Sequence, residues 1–163
     1  MENLSRDFGL LITGVEPSAA MRGDRYGILA TSAEHTDLPS ESFDCVLCEC
    51  VLSLCSGLAP ALSEVRRILK PGGALILSDV YSGSEELRCD GLFGWFYTLR
   101  QYLGEIRQAG FSVHVIEDHT RHLQHMCAQL ILDGAGGSLC DTFRHLREAR
   151  CGYFLTISRK EST

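Results

Sequence analysis

The chain has 163 residues, of which 45% are hydrophobic and 22% charged, a balance that suits one globular domain with a sizeable core. Its formal net charge of −6, with no basic run, argues against a nucleic-acid surface and leaves a small molecule or a protein as the expected partner. No apolar run reaches about eighteen residues and the start MENLSRDFG lacks a signal-peptide pattern, so the expectation is a cytoplasmic protein without membrane contact whose eight cysteines are reduced thiols.

Along the chain, apolar stretches with strand character alternate with helix-like ones, the pattern of a mostly parallel sheet covered by helices. LLITGV at 10–15 reads as the first strand, closed by Glu16, Pro17 and Ser18, with a short helix to about Met21. YGILA at 26–30 is a shorter strand, and the polar stretch 31–42 turns at Leu38, Pro39 and Ser40. FDCVLC at 43–48 is apolar enough to be buried on both faces as an inner parallel strand. Leu58, Ala61, Leu62, Val65, Ile68 and Leu69 then recur at helical spacing, with Arg66, Arg67 and Lys70 near the end, where the helix dipole favours them. Pro71-Gly72-Gly73 stops that helix and ALILSDV at 74–80 follows as a strand. A polar connection over 83–94 with the character of a lid leads to a helix over 96–109 that Gly110 ends. FSVHVIE at 111–117 is a strand, 122–132 and 139–149 read as helices, and YFLTIS at 153–158 is the last strand.

Three segments in this order carry a family likeness: GVEPS at 14–18, SAEHTDLPSESFDCVLCECVLSL at 32–54 and EVRRILKPGGALILSDV at 64–80. Together they resemble the class I, S-adenosylmethionine-dependent methyltransferases, whose domain is Rossmann-like. AGFSVHVIEDHT and the closing GYFLTIS resemble the antiparallel strands that end that family's sheet. The resemblance implies an α/β fold: a mostly parallel sheet with helices on both faces, an antiparallel carboxy-terminal strand, and one domain over 1–163. It also implies S-adenosylmethionine as cofactor.

Carried over by residue, the likeness gives Glu16 the role of the carboxylate that accepts hydrogen bonds from both ribose hydroxyls, with Pro17 and Ser18 beside it; two acceptor oxygens suit two donors. A solvated carboxylate near a helix start is the competing reading. Ser32, Ala33 and Glu34 match the segment that meets the adenine. Ser32 stands where the family often has Asp, so backbone groups of Ala33 and Glu34 are the candidates there, and an ordinary turn is an equal alternative. Cys48, Glu49 and Cys50 match the strand end flanking the methionine part. No dedicated base is needed, because methyl transfer from a sulfonium asks chiefly for in-line positioning. The catalytic residues stay unassigned; Asp79 and Tyr81 either face a substrate or cap a loop.

Cys45 and Cys48 point to opposite faces of a strand and the spacing is not that of a paired ribbon, which speaks against a metal site. His122 and His125 share a helix face but lack further ligands. The family's first strand and Gly-x-Gly loop find no counterpart before 10–15, so the domain reads as truncated at its amino terminus, missing a central strand. CECV after the third strand lacks the Asn-Pro-Pro-Tyr type motif and argues against DNA-base and glutamine N-methylation. The expected function is methyl transfer to a small molecule. The alternative is a degenerate, non-catalytic binding or scaffolding module that meets a protein partner, or a second copy, through an exposed sheet edge.

Overall fold

The computed structural model describes residues 7–22, 27–88, 94–134 and 146–162. In chain order it contains β1 (Gly14–Val15), α1 (Ala19–Arg22), β2 (Ile28–Leu29), β3 (Phe43–Glu49), α2 (Leu58–Ile68), β4 (Leu69–Tyr81), β5 (Leu87–Arg88), β6 (Trp95–Phe96), α3 (Leu99–Gln108), β7 (Phe111–Asp118), α4 (Thr120–Leu132) and β8 (Gly152–Lys160), with a single 3₁₀ turn at Leu52–Leu54. The main sheet has the order β3-β4-β8-β7. β3 and β4 are parallel, β8 runs antiparallel to both of its neighbours, and β7 therefore points the same way as β3 and β4. β1 and β2 form a separate parallel pair, and β5 and β6 a small hairpin.

α2 forms because its apolar residues fall on one stripe: Leu58, Ala61, Leu62, Val65 and Ile68 are all buried. α3 starts at a reciprocal cap, in which Thr98 Oγ1 accepts the Gln101 backbone N–H and the Gln101 side chain accepts the Thr98 N–H. It stops at Gly110, whose φ of 79° a side chain would resist. Leu62, Val65, Tyr102 and Ile106 of these helices pack with Leu75 and Leu77 of β4 and Phe154 of β8. Val80, on the opposite parity of β4, packs instead with Leu123 of α4 and Phe96. Alternating residues of the central strand thus face helices on both sides, and truncating one fully buried leucine such as Leu62 costs about 2–5 kcal/mol.

Several element bounds differ from the sequence reading. The first strand shrinks from 10–15 to Gly14–Val15: Leu10 and Leu11 pair with no strand among the described residues and lie exposed. Of the 26–30 strand, Ile28–Leu29 forms, while Tyr26 lies outside the described residues. Leu69 leaves the helix and opens β4, so Pro71-Gly72-Gly73 sits inside a long strand as an irregularity: Phe43 pairs with Leu69 but Cys45 pairs with Ala74. β3 is not buried on both faces, since Cys45 is exposed and Leu47 is 58% exposed; its second edge carries no strand among the described residues. Most of the helix expected at 139–149 and the centre of the 83–94 connection lie outside the described residues.

Candidate functional site

β3 ends opposite Ser78 while β4 runs on to Tyr81, and the end of β3 is tied to β4 by the Cys50 N–H donating to the Ser78 carbonyl at 2.8 Å. Cys50 takes a left-handed φ of 51°, a strain of about 1–3 kcal/mol for a non-glycine residue. Its thiol donates to the Tyr153 hydroxyl over 3.8 Å, and that hydroxyl donates to Ser78 Oγ at 2.9 Å. Beyond Cys50 the chain turns through Leu52–Leu54, and Asp79 braces that turn. One Asp79 oxygen accepts the Ser53 N–H at 3.0 Å and the other its neighbour Val80 N–H at 2.8 Å. Asp79 is fully buried, which pushes its carboxyl up against the lowering effect of these bonds. Of the two readings of Asp79, bracing a loop is the one its hydrogen bonds support.

The segment after β2 docks onto this same end. Ala33 packs against the core cluster that contains Cys48, Leu52 and Cys55. Glu34 Oε1 accepts the Ser56 N–H at 2.8 Å, a bond that holds its carboxyl below the ordinary range. Thr36 is fixed in turn by Glu64 of α2, whose Oε1 accepts the Thr36 N–H at 2.8 Å and the Thr36 hydroxyl at 2.6 Å. Ala33 and Glu34 are thereby held beside the core cluster that contains Cys48.

Glu16 sits directly after β1, its N–H donating to the Leu29 carbonyl at 3.0 Å. One carboxylate oxygen accepts the Ser18 N–H at 2.8 Å; the other has no hydrogen bond to a described residue. Pro17 and Ser18 are exposed beside it. Glu49 is exposed at the last position of β3, opposite Ser78 in the ladder. Among the described residues no hydrogen bond links Glu16 to Ala33, Glu49 or Cys50, and its strand pair is not joined to β3.

Burial pushes the thiols of Cys48 and Cys55 up to about 12 and raises that of Cys50. None of these is a thiolate at neutral pH, so none serves as a ready nucleophile or soft ligand. Among the described residues, no group of three or more His, Cys, Asp or Glu side chains is placed to hold a metal ion. His119 pairs with Glu117 at 2.8 Å and its ring lies against His122. Tyr81 edges onto Phe154 and lines a cavity of about 410 Å³ with Ser82, Ser84 and Arg100. The Ser78, Tyr153 and Glu64 contributions were not legible beforehand, since each depends on a pairing distant in sequence; the polar interruption of ALILSDV at Ser78 was the available sign.

Residues 1–77 match the family described as a methyltransferase domain. An arsenite methyltransferase of Aquipseudomonas alcaligenes is 36% identical over 78 residues, 41% of this chain and 22% of that protein. Among solved structures, the [4+2]-cyclase SpnF superposes with a TM-score of 0.77 at 22% identity, covering 99% of this chain and 71% of that one. The chain has the class I methyltransferase fold. A geranyl diphosphate C-methyltransferase from Streptomyces coelicolor A3(2), in complex with Mg2+, geranyl diphosphate and S-adenosyl-L-homocysteine, superposes equally well: TM-score 0.77, 17% identity, 96% of this chain and 67% of that one. With a cyclase and a methyltransferase on one framework, the fold by itself leaves the reaction to be argued from the site. The matched stretch is about a fifth of the Aquipseudomonas protein's length. No helix among the described residues of this methyltransferase fold is long and apolar enough to cross a membrane.

Proposed function

We propose that this chain carries the cofactor site of an S-adenosylmethionine-dependent methyltransferase acting on a small molecule. The observation that carries the proposal is Glu16, a carboxylate at the end of a parallel strand with one oxygen anchored and the other without a hydrogen bond among the described residues. Ligands of open α/β sheets gather at such strand ends.

The residues present fit the nucleoside half of the cofactor. Glu16 supplies the acceptor for ribose hydroxyls, Ser18 orients it, and backbone groups of Ala33 and Glu34, held by Ser56 and Glu64, suit the base. Cys48 closes the floor as a neutral thiol, with Glu49 and Cys50 at the rim. For the amino-acid half the described residues contain no Gly-x-Gly sequence. When bound, the cofactor supplies a sulfonium-activated methyl group. The protein's share is to hold the acceptor in line and keep water out, and the protonated thiols and Tyr153 hydroxyl add no competing nucleophile. The free thiols suit a reducing compartment, which favours the cytoplasm.

A second reading is a non-catalytic binding module. It is favoured by the edge of β3 that no strand among the described residues pairs, where Leu47 stays exposed in an apolar strand. Calorimetry with S-adenosylhomocysteine separates the two. The cofactor reading expects saturable heat that Glu16→Ala weakens at least about tenfold, while no heat up to about 1 mM ligand refutes it and leaves the binding module.

A further inference from the structure

At the other end of the main sheet, where β4 and α2 meet, lies an open hollow of about 430 Å³ lined by Ser40, Glu41, Ser63, Arg66, Arg67 and Lys160. We propose that this hollow is a binding site for a phosphate-type oxyanion, independent of the cofactor site. Three cations of a chain whose net charge is −6 converge there from separate elements: Arg66 and Arg67 from the last turn of α2 and Lys160 from the end of β8.

The donors are placed but not exhausted. Lys160 is 9% exposed; its ammonium donates to the Leu69 carbonyl at 2.7 Å and reaches Glu41 at 3.5 Å, leaving one of its three donors unassigned. Arg66 reaches the Gly110 and Glu161 carbonyls, which fixes the guanidinium and uses part of its five N–H groups. Arg67 is largely engaged: with Glu64 at 2.8 Å, Ser40 Oγ at 2.9 Å and the Leu38 carbonyl at 2.7 Å. Ser63 is exposed on α2 and its hydroxyl has no partner among the described residues. Against these stand three carboxylates: Glu41 lining the hollow, Glu64 behind Arg67, and Asp37, whose charge also acts on Arg67.

The wall opposite α2 is built with strain. Glu41 takes a left-handed φ of 51° so that its N–H and that of Ser42 can cap the Arg67 and Ile68 carbonyls at the end of α2. With those carbonyls satisfied from the loop, the arginine side chains face the hollow without serving as helix caps. Spare N–H and O–H donors around the hollow suit a ligand with several acceptor oxygens, and forked guanidinium groups suit phosphate geometry.

The test is titration of the whole chain with inorganic phosphate and with inorganic pyrophosphate at constant ionic strength, read by calorimetry and by Tm. Saturable binding and a rising Tm are expected. Ser63→Glu, which places a carboxylate in the hollow from an exposed helix position, should weaken binding at least about tenfold, and Arg66→Gln should weaken it at unchanged S-adenosylhomocysteine affinity. Pyrophosphate binding more tightly than phosphate assigns the site to diphosphate groups, and the reverse to single phosphates. Absence of saturation below about 10 mM, or equal binding by folded Ser63→Glu, overturns the proposal.

Discussion

Replacing Glu64 by Gln tests how the loop over the candidate site is held. Glu64 is 8% exposed and receives four bonds: the Thr36 N–H, the Thr36 hydroxyl, and two from the Arg67 guanidinium at 2.8 Å. Arg67 is the largest cause that holds its carboxyl down at about 2, against an ordinary 4.5. That gap is worth about 3 kcal/mol at full strength, and screening through the partly exposed guanidinium brings it nearer ~2 kcal/mol. Because the folded value is the lower one, the contribution is fully present above pH 4.5 and fades as the pH falls towards about 2. Urea unfolding at pH 7 should therefore show Glu64→Gln with a midpoint lowered by about 1 M. The difference between the proteins should shrink steadily below pH 4.5. A gap that is the same at pH 7 and pH 3, or absent at pH 7, refutes the reasoning. The same variant should weaken S-adenosylhomocysteine binding modestly, since Thr36 anchors the segment that carries Ala33 and Glu34.

Two further outcomes follow from buried groups. The Ser158 hydroxyl is fully buried without a hydrogen-bond partner, so Ser158→Ala should raise stability by about 1 kcal/mol, read as a higher urea midpoint with an unchanged slope. Alkylation followed by intact mass should modify exposed Cys45 before Cys48 and Cys55, which are buried and whose thiols stand at about 12; fast labelling of Cys48 in the folded protein would contradict the packing of β3.

The elements that could be read from the sequence are those whose signal is local. α2 announces itself through the spacing of Leu58, Leu62 and Val65, and α3 through an apolar stripe ended by Gly110. The antiparallel return of β8 was legible because a resemblance supplied it, and the pairing with β4 and β7 agrees. What failed was what depends on a neighbour. Pro71-Gly72-Gly73 looks like a turn between elements, yet pairing of Leu69 with Phe43 draws it into β4 as an outward irregularity. Asp79 left two readings open in the sequence, facing a substrate or capping a loop; the choice between them depends on Ser53, 26 residues earlier, whose N–H donates to the buried carboxylate.

The residues of β3 and of 10–15 show the same dependence from the other side. FDCVLC and LLITGV have the composition of strands meant to be enclosed, yet Cys45, Leu47, Leu10 and Leu11 meet solvent, and β1 and β3 lie in different sheets. Composition records what surroundings a strand tolerates, and exposure records what stands beside it. Where the two disagree over a run of apolar residues, the surface is one that gains by being covered. That puts the disagreement on the β3 edge, next to Cys48 and Cys50 and on the side where Glu16 would have to approach. A strand paired to that edge would engage its backbone N–H and C=O groups and flank Leu47, and under the proposed cofactor reading it is also where further N–H groups for the amino-acid half would come from.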